Sequence, residues 1–473
     1  VSAVSGTCLG GGTELSLASS FIVLSDRPDL RIGLPEVKLG IVPGWGGCVR
    51  LPRRIGLVAA LDIILAGKAV SGRQALRIGL ADALFPEAGF LHHVRDFARG
   101  KIGRRHRARK PPGGLKRLLL EGPLGRGFIL DQARKKTVSA TRGRYPAPLA
   151  AIEVVRAGLE KGAAAGFDAE ARAVRELATA PTAKNLIHLF GLMEAAKKDG
   201  PADAASPPEV CRPAVLGAGV MGGAIAQLMA DKAGLPVRVK DLQAGAISTA
   251  LQHAAALFDR QVRRRRLRPA EMRRKMGLLQ PTLGEAGLAS SDFVLEAVVE
   301  NLAVKQQLFD ELSRRLAPTA ILATNTSSLS IDDIGQHATR RERVVGMHFF
   351  NPVDRMPLVE VIAGSLTGET AVRATTAFAR RLGKTPVVVR DSPGFLVNRL
   401  LAFYSAEAMW LLDEGHQVEV IDRTLVDWGM PMGPLRLADE VGLDVSAKVG
   451  SILHAAFPDR LLFPSWIDRI GVD

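Results

Sequence analysis

A glycine-rich motif, Gly217-Ala-Gly219-Val-Met-Gly222, is the most specific chemical signal in the sequence. It follows the apolar run Ala214–Leu216 and opens an apolar helix, and Asp241 ends the next predicted strand. In such a βα turn Gly217 allows the tight turn, Gly219 leaves room for a pyrophosphate, and Gly222 lets the helix pack on the sheet. Free amides at the helix N-terminus would hold the pyrophosphate. The Asp241 carboxylate would accept ribose hydroxyls and repel a 2′-phosphate, so the motif predicts binding of NAD and not NADP.

His348 and Glu360 offer acid–base chemistry further along the chain. His348 follows the predicted strand Val344–Met347, at the sheet edge where ligands of open α/β proteins bind. Because an imidazole titrates near neutral pH, it suits the removal of a hydroxyl proton during oxidation of a secondary alcohol. Glu360, after the next strand segment, could orient the ring and stabilise its protonated form. The residues alone leave open a structural histidine and an ordinary surface carboxylate.

The elements that must position these residues alternate between strands and helices. Such alternation is typical of a parallel, doubly wound α/β sheet. A helical pattern then runs from Phe395 to Leu412 and continues to the last residue. The predicted strands beyond Cys211 are Ala214–Leu216, Val237–Val239, Phe293–Val298, Ile321–Thr324, Val344–Met347, Leu358–Ile362 and Val387–Val389.

The first part of the chain has a different pattern, with short apolar strands and glycine-rich turns. Residues 91 to about 200 are basic, Ala-rich and mostly helical, with a break at Pro111–Gly114, and residues 200–208 indicate a linker. The elements predicted before residue 90 are strands Val1–Ser5 and Phe21–Ser25, a turn at Pro43–Gly47, and helices Leu57–Leu65 and Gly72–Ile78.

Bulk composition bounds the class of protein. With 473 residues, 47% of them hydrophobic, the chain can form several cores. No apolar run is long enough to span a bilayer. The sequence opens at Val1 inside a predicted strand, so we expect a piece of a longer protein. Three scattered cysteines, Cys8, Cys48 and Cys211, favour a reducing compartment, and we expect a cytoplasmic location.

The net charge of +15 comes largely from arginine, with clusters between Arg99 and Lys110 and at Arg263–Arg266. Binding of nucleic acid is disfavoured, because these clusters lack interleaved aromatic residues and only 5% of the chain is aromatic. A phosphate-rich ligand such as coenzyme A would also suit a positive surface. A solvated, arginine-rich surface without a specific partner stays equally open.

Residues 213–440 resemble the 3-hydroxyacyl-CoA dehydrogenase family in motifs such as Leu295–Asn301, Thr324–Ser328, Met347–Pro352, Pro393–Arg399 and Gly429–Pro434. The resemblance implies that His348 is the catalytic base and Glu360 its partner. It also implies that Ser327 and Asn398 surround the substrate's hydroxyl and thioester carbonyl. The cofactor-binding residues that it implies are Gly217, Gly219, Met221, Gly222, Asp241, Val299, Glu300, Asn301, Lys305, Ser327 and Asn351.

The segments Thr7–Glu14, Gly33–Gly40 and Gly44–Gly47 resemble the crotonase, or enoyl-CoA hydratase, family. The resemblance implies that Glu14 and Glu36 activate water and deliver a proton to Cα, while the Gly11 amide polarises the thioester oxygen. The alternative is a first-turn helix carboxylate at Glu14 and a loop charge at Glu36.

Two departures from the crotonase family stand out. Cys48 occupies a position where that family commonly has threonine. A strand that supplies a second oxyanion amide would precede Val1. We therefore expect hydration from a longer parent protein and not from this chain alone.

The order of these segments resembles the bifunctional alpha subunit of the fatty acid oxidation complex. We expect part of a crotonase domain at 1–90, a helical extension and linker at 91–210, a Rossmann-type NAD-binding domain at 211–392, and an incomplete all-α dehydrogenase domain at 393–473. The resemblance implies hydration of enoyl-CoA followed by NAD-dependent oxidation of L-3-hydroxyacyl-CoA. It also implies acyl-CoA substrates, a thiolase beta subunit as partner, and an oligomer.

Three alternatives remain open on the sequence. One is a free-standing biosynthetic 3-hydroxybutyryl-CoA dehydrogenase, which the attached crotonase motifs disfavour. The second is an NAD-binding regulator without catalysis, which would need no base at His348. The third is a nucleic-acid or membrane-surface binder that uses the positive charge.

Overall fold

The computed structural model describes residues 1–102, 122–198, 206–264, 266–285 and 287–466. Most of the first arginine cluster (from Arg104 to Lys110), the break at Pro111–Gly114, most of the 200–208 segment, and Arg265 lie outside the described residues. The chain divides into two compact units, Val1–Leu192 and Met193–Asp473.

The first unit contains two three-stranded sheets, a 3-10 helix at Glu36–Leu39 and nine described α-helices, the last of which crosses the division. One sheet has the order β1-β3-β6 and is parallel; the other has the order β2-β4-β5, with β4 and β5 antiparallel. The strands are β1 (Ser2–Val4), β2 (Cys8–Leu9), β3 (Ile22–Ser25), β4 (Ile32–Gly33), β5 (Ala69–Val70) and β6 (Ala83–Phe85). The helices are α1 (Gly11–Leu17), α2 (Gly47–Ile55), α3 (Leu57–Leu65), α4 (Gly72–Ile78), α5 (Phe90–Arg99), α6 (Pro123–Thr141), α7 (Pro146–Glu160), α8 (Ala163–Ala178) and α9 (Pro181–Lys197).

The elements of this unit that were predicted correctly are those with a regular spacing of apolar residues. The helices Leu57–Leu65 and Gly72–Ile78 are confirmed at the predicted bounds, because their apolar residues recur with helical spacing. The two-residue strands β2, β4 and β5 went unpredicted, because so short a run shows no periodicity. The predicted turn at Pro43–Gly47 is one residue too long, because Gly47 is already the first residue of α2.

The second unit is built on an eight-stranded sheet with the order β14-β13-β12-β11-β10-β7-β8-β9. Alternate strand residues enter two separate cores, one containing Val215 and Leu295 and the other Leu216 and Val294. Apolar packing on both faces confirms the doubly wound class. The strands are β7 (Pro213–Leu216), β8 (Val237–Lys240), β9 (Leu279–Thr282), β10 (Phe293–Glu296), β11 (Ile321–Thr324), β12 (Val344–Phe349), β13 (Leu358–Ala363) and β14 (Thr385–Arg390).

Helices cover this sheet and continue beyond it. Six of them lie between the strands: α10 (Val220–Leu228), α11 (Ala244–Arg263), α12 (Pro269–Met276), α13 (Leu302–Arg315), α14 (Ile331–Ile334) and α15 (Glu369–Arg381). Four follow the sheet: α16 (Val397–Asp413), α17 (Val418–Trp428), α18 (Pro434–Val441) and α19 (Leu443–Ala456). Across the described ranges, none of the helices combines the length and the apolar character that a bilayer span requires.

One strand pair departs from the parallel arrangement of the sheet. β12 and β13 are antiparallel, whereas the other six pairs of the sheet are parallel. The connection from Phe349 to Leu358 contains no helix and is too short for a crossover, so the chain must turn back beside itself. The sequence also missed β9, an edge strand that contains Pro281.

Candidate active sites

His348 and Glu360 face each other across the antiparallel strands β12 and β13. They are direct register partners, and His348 Nδ1 lies 2.8 Å from Glu360 Oε2. Both side chains are buried. The prediction that His348 follows the end of its strand is wrong, because β12 extends to Phe349, and Glu360 lies inside β13, within the predicted strand Leu358–Ile362. Direct antiparallel partners project on the same face, so the strand reversal itself makes this pair.

The second carboxylate oxygen of Glu360 holds the start of α16. Oε1 accepts hydrogen bonds from the amides of Leu396 (2.9 Å) and Val397 (3.0 Å). The preceding residue, Phe395, has a left-handed backbone with φ of 48°, which is strained for a side chain of this size. Burial would raise the pKa of Glu360, but hydrogen bonds from His348 and these amides hold its pKa below the ordinary value. Glu360 therefore stays ionised and keeps Nδ1 of the imidazole engaged.

Two polar residues predicted near the substrate lie together in the second unit. The Asn398 amide nitrogen donates to the Ser327 carbonyl at 3.0 Å. The rings of Phe350 and Phe395 flank the imidazole of His348, with centroids 4.5 Å and 6.0 Å away. Since Nδ1 is bound to Glu360, Nε2 is the ring nitrogen that can take a proton from a substrate.

The glycine motif forms an open cradle at the end of β7. A Cβ on Gly217, whose φ is 94°, would lie 2.4 Å from the Ala297 carbonyl oxygen, and one on Gly222 would lie 1.9 Å from the Gly217 carbonyl oxygen. A Cβ on Gly219 would meet no heavy atom within 4 Å. The two outer glycines are therefore required by the protein itself, whereas Gly219 keeps a space clear beside the N-terminus of α10. That space fits a dinucleotide pyrophosphate.

Asp241 lies directly after β8, as predicted, and its carboxylate is turned toward the cradle. Oδ2 accepts the Ala218 amide at 2.7 Å, and Oδ1 accepts the Gln243 amide at 2.9 Å. Each carboxylate oxygen can accept a further hydrogen bond. Met221, in the first turn of α10, is half-buried. These carboxylate acceptors therefore fit the free ribose hydroxyls of an NAD adenosine.

The remaining predicted cofactor residues range from exposed to fully buried, and Glu300 and Ser327 are half-buried. Val299, Asn301 and Asn351 are exposed, and Asn301 also caps α13 by accepting the Val304 amide at 3.2 Å. Lys305 is only 1% exposed, and its ammonium lies 2.6 Å from Glu296 Oε1 and 3.2 Å from Glu300 Oε2. Lys305 is therefore enclosed by the protein and contacts Glu300, instead of lying on an open surface.

Glu296 is a site residue that the sequence reasoning missed. It is fully buried at the end of β10, and its Oε2 accepts the Thr324 hydroxyl at 2.7 Å. Next to it, Glu300 Oε1 accepts the Thr326 hydroxyl at 2.6 Å and the Ser327 amide at 3.1 Å. The signal in the sequence was an acidic residue closing an otherwise apolar strand, which is costly unless it has a partner.

The predicted carboxylates of the first unit are both buried near the N-terminus of α2. Glu14 Oε1 accepts the amides of Trp45 (2.8 Å) and Gly47 (2.7 Å). The two Glu36 oxygens are buried and, within the described part of the chain, have no hydrogen-bond partner. Burial, together with the charge of Glu14, raises the pKa of Glu36 to about 7. A Cβ on Gly10 would lie 3.2 Å from Glu36 Oε1, so this carboxylate adjoins the turn that precedes Gly11.

A third buried carboxylate, Glu170 of α8, was also missed. Its oxygens accept the amides of Gly46 (2.5 Å) and Cys48 (3.2 Å), so Glu14 and Glu170 alternately hold four successive amides. Burial, and to a smaller extent the charge of Glu14, raises the pKa of Glu170 to about 7. The buried Cys48 thiol, also close to these carboxylates, has a raised pKa. An open cleft of about 390 Å³ adjoins the group and is lined by Gly11, Gly12, Glu14, Leu15, Ala18, Trp45 and Arg50.

These raised pKa values predict that the first unit is less stable at pH 8 than at pH 5. Between the ordinary carboxyl value of 4.5 and about 7, the unfolded chain releases protons that the folded chain retains. Stability therefore falls as pH rises through this window, by on the order of 2 kcal/mol per group. Glu36→Gln is expected to remove its share of the dependence.

Differential scanning calorimetry at pH 5 and pH 8 measures the unfolding transition of the first unit. Added NAD raises the melting temperature of the second unit and so identifies its transition. The control is Glu176→Gln, since Glu176 is exposed on α8. An equal pH dependence in Glu36→Gln and the unaltered chain would contradict the prediction.

Comparison with known proteins gives three family matches. Residues 212–392 match the 3-hydroxyacyl-CoA dehydrogenase NAD-binding domain, and residues 394–471 match the C-terminal domain of the same enzymes. Residues 1–107 match enoyl-CoA hydratase/isomerase.

Several solved structures are similar to part of the chain. M. tuberculosis FadB2 is 36% identical, with 56% of this chain and 94% of that chain covered and a TM-score of 0.53. A (S)-3-hydroxybutyryl-CoA dehydrogenase, PaaH1, from Ralstonia eutropha is 35% identical, with coverages of 56% and 94% and a TM-score of 0.53. The 3-hydroxybutyryl-CoA dehydrogenase of Escherichia coli K12 is 37% identical, with coverages of 56% and 57% and a TM-score of 0.54.

Proposed function

The chain belongs to the 3-hydroxyacyl-CoA dehydrogenase family, and on this basis we propose that His348 is the base that removes the hydroxyl proton of an L-3-hydroxyacyl-CoA. Its domains make it an NAD-dependent oxidoreductase with an enoyl-CoA hydratase domain, which serves fatty-acid oxidation. The observation that carries the proposal is the buried, in-register pair of His348 and Glu360.

In the proposed reaction, Nε2 of His348 takes the hydroxyl proton while the C3 hydrogen leaves as hydride. Bound NAD supplies the hydride acceptor. Glu360 holds the ring in place and stabilises the imidazolium that forms. Ser327 and Asn398, which are joined by a hydrogen bond, are proposed to contact the hydroxyl and the thioester carbonyl of the substrate. The product is the 3-ketoacyl-CoA.

The proposed contacts with NAD are centred on the glycine cradle at Gly217–Gly222. The space above Gly219 is proposed to take the pyrophosphate, between the Gly217 turn and α10. Asp241 would bind the adenosine ribose, and Met221 would lie beside it. Val299, Glu300, Asn301, Ser327 and Asn351 are proposed to border the nicotinamide end, with Lys305 acting through Glu300.

For the first unit we propose that Glu14 and Glu36 share the addition of water to a 2-enoyl thioester. Because its pKa lies at about 7, Glu36 can hold a proton at neutral pH and deliver it to Cα. Glu14, oriented by two amides, would take a proton from the attacking water. The Gly11 amide, in the first turn of α1 where amides lack an intrahelical acceptor, would polarise the thioester oxygen.

The wider setting is also part of the proposal. We place the functional boundaries at residues 90, 210 and 392, and we expect a multifunctional protein in the cytoplasm that passes 3-ketoacyl-CoA to a thiolase beta subunit within an oligomer. The supporting fact is the order of the matched domains, hydratase before dehydrogenase. Hydration yields the hydroxyl group that the dehydrogenase oxidises.

Glu360→Gln tests the proposed pair. Because the imidazolium loses its carboxylate partner, kcat for NADH formation from L-3-hydroxybutyryl-CoA is expected to fall about 10- to 100-fold. The acid limb of the kcat profile should also move to lower pH. Initial rates between pH 5.5 and 9 measure both effects, with the exposed Glu369→Gln as the control. A uniform loss at every pH, without movement of the acid limb, would indicate a merely structural role for Glu360.

A further inference from the structure

Glu296, Lys305 and Glu300 form a chain of ion pairs, here called the Glu–Lys–Glu group. Glu296 and Lys305 are 0% and 1% exposed, and Lys305 lies 2.6 Å from Glu296 and 3.2 Å from Glu300. Two carboxylates and one ammonium leave one net negative charge. The ion pairs and hydrogen bonds also fix where this charge lies.

Hydrogen bonds connect this group to Ser327 and Asn398, the two residues proposed to contact the substrate. Glu300 accepts the Thr326 hydroxyl and the Ser327 amide, and the Ser327 carbonyl in turn accepts the Asn398 amide. Burial would raise the pKa of Glu300, but the positive charge of Lys305 and these two donors hold its pKa below the ordinary value. Glu300 therefore stays ionised at neutral pH. The Lys448 ammonium lies 2.9 Å from the Glu300 backbone carbonyl oxygen, but Lys448 is exposed, so solvent and salt screen its charge more than that of the buried group.

The sheet order places this charge between the cofactor cradle and the catalytic base. β7, β10, β11 and β12 are successive neighbours; the cradle ends β7, and His348 lies in β12. A nicotinamide ring that accepts a hydride near His348 would lie toward the carboxyl ends of β10 and β11, the strands between those two points. Glu300 follows β10, and Ser327 follows β11.

We propose that the Glu–Lys–Glu group sets the preference of this protein between the two redox states of its cofactor, by favouring the oxidised form. This inference rests on the proposed function. The oxidised nicotinamide ring carries a positive charge and the reduced ring is neutral, so a fixed negative charge attracts only the former. A neutral side chain could accept the hydrogen bonds of Thr326 and Ser327 equally well. Only a carboxylate also supplies a negative charge. In a partly buried setting, solvent and salt screen such a charge weakly.

The test is the ratio of the dissociation constants of NAD⁺ and NADH, measured at equilibrium on the full chain by calorimetry. Glu300→Gln keeps the shape of the side chain and removes the net charge, so the ratio Kd(NAD⁺)/Kd(NADH) is expected to rise about three- to tenfold. Glu296→Gln neutralises the same group from its buried end and should raise the ratio in the same direction. Any loss of affinity common to both forms cancels in the ratio.

Asp241→Asn is the matched control, because it faces the adenosine half that the two redox forms share. Its ratio should stay within about twofold of the unaltered chain while both affinities fall. Ratios that are unchanged or lowered in both glutamine variants overturn the inference and leave the proposed function standing. Failure of the unaltered chain to bind either form overturns the proposed function, and this inference with it.

Discussion

His348→Gln is expected to lower kcat for NADH formation from L-3-hydroxybutyryl-CoA by about 10²- to 10⁴-fold, the usual contribution of a general base. That loss corresponds to about 3–5 kcal/mol of activation free energy. Glutamine can still hydrogen-bond to Glu360, which lies 2.8 Å from His348 Nδ1, but it cannot take the hydroxyl proton. The affinity for NAD should change little, because the cradle at Gly217–Gly222 lies at the end of another strand, β7.

The control for this variant is His337→Gln, since His337 is exposed in the same unit. Initial rates and NAD binding are measured on all three chains. Turnover that survives in His348→Gln would rule out the base assignment. Absence of turnover in the unaltered chain, with NAD still bound, would favour the NAD-binding regulator.

Gly219→Val is expected to weaken NAD binding by at least about 100-fold, or about 3 kcal/mol, without unfolding the protein. The backbone at Gly219 is extended (φ −65°, ψ −171°), which valine adopts freely, and a Cβ there meets no protein atom within 4 Å. The side chain would instead fill the space proposed for the pyrophosphate. Gly222→Val differs in kind, because its Cβ would lie 1.9 Å from the Gly217 carbonyl oxygen and should destabilise the fold itself.

Gly245→Val is the matched control for this variant, because Gly245 is exposed near the start of α11 and also has no atom within 4 Å of a Cβ. Calorimetric titration with NAD and a thermal melt in its absence separate binding from folding. Tight NAD binding by Gly219→Val would contradict the proposed position of the pyrophosphate at this turn. A large drop in the melting temperature of Gly219→Val would show that the glycine serves the fold.

The sequence by itself determined the elements whose information is local. The glycine motif, the apolar strand before it and the acidic residue after the next strand lie within one βα unit, and the structure has them where they were predicted. Helices with regular apolar spacing, such as Leu57–Leu65, were also predicted to the residue. These features depend on neighbours along the chain, so spacing alone can reveal them.

Only the tertiary structure decided how the catalytic groups meet. The reversal between β12 and β13 makes His348 and Glu360 register partners, whereas their separation in sequence left the pairing open. Burial identified Glu296 and Glu170, which were not predicted from the sequence, and it enclosed the predicted residue Lys305. The same burial raises the pKa of Glu36 to about 7. The cost of enclosing a charge and the partners that offset it come from residues distant in the chain, and only folding brings them together.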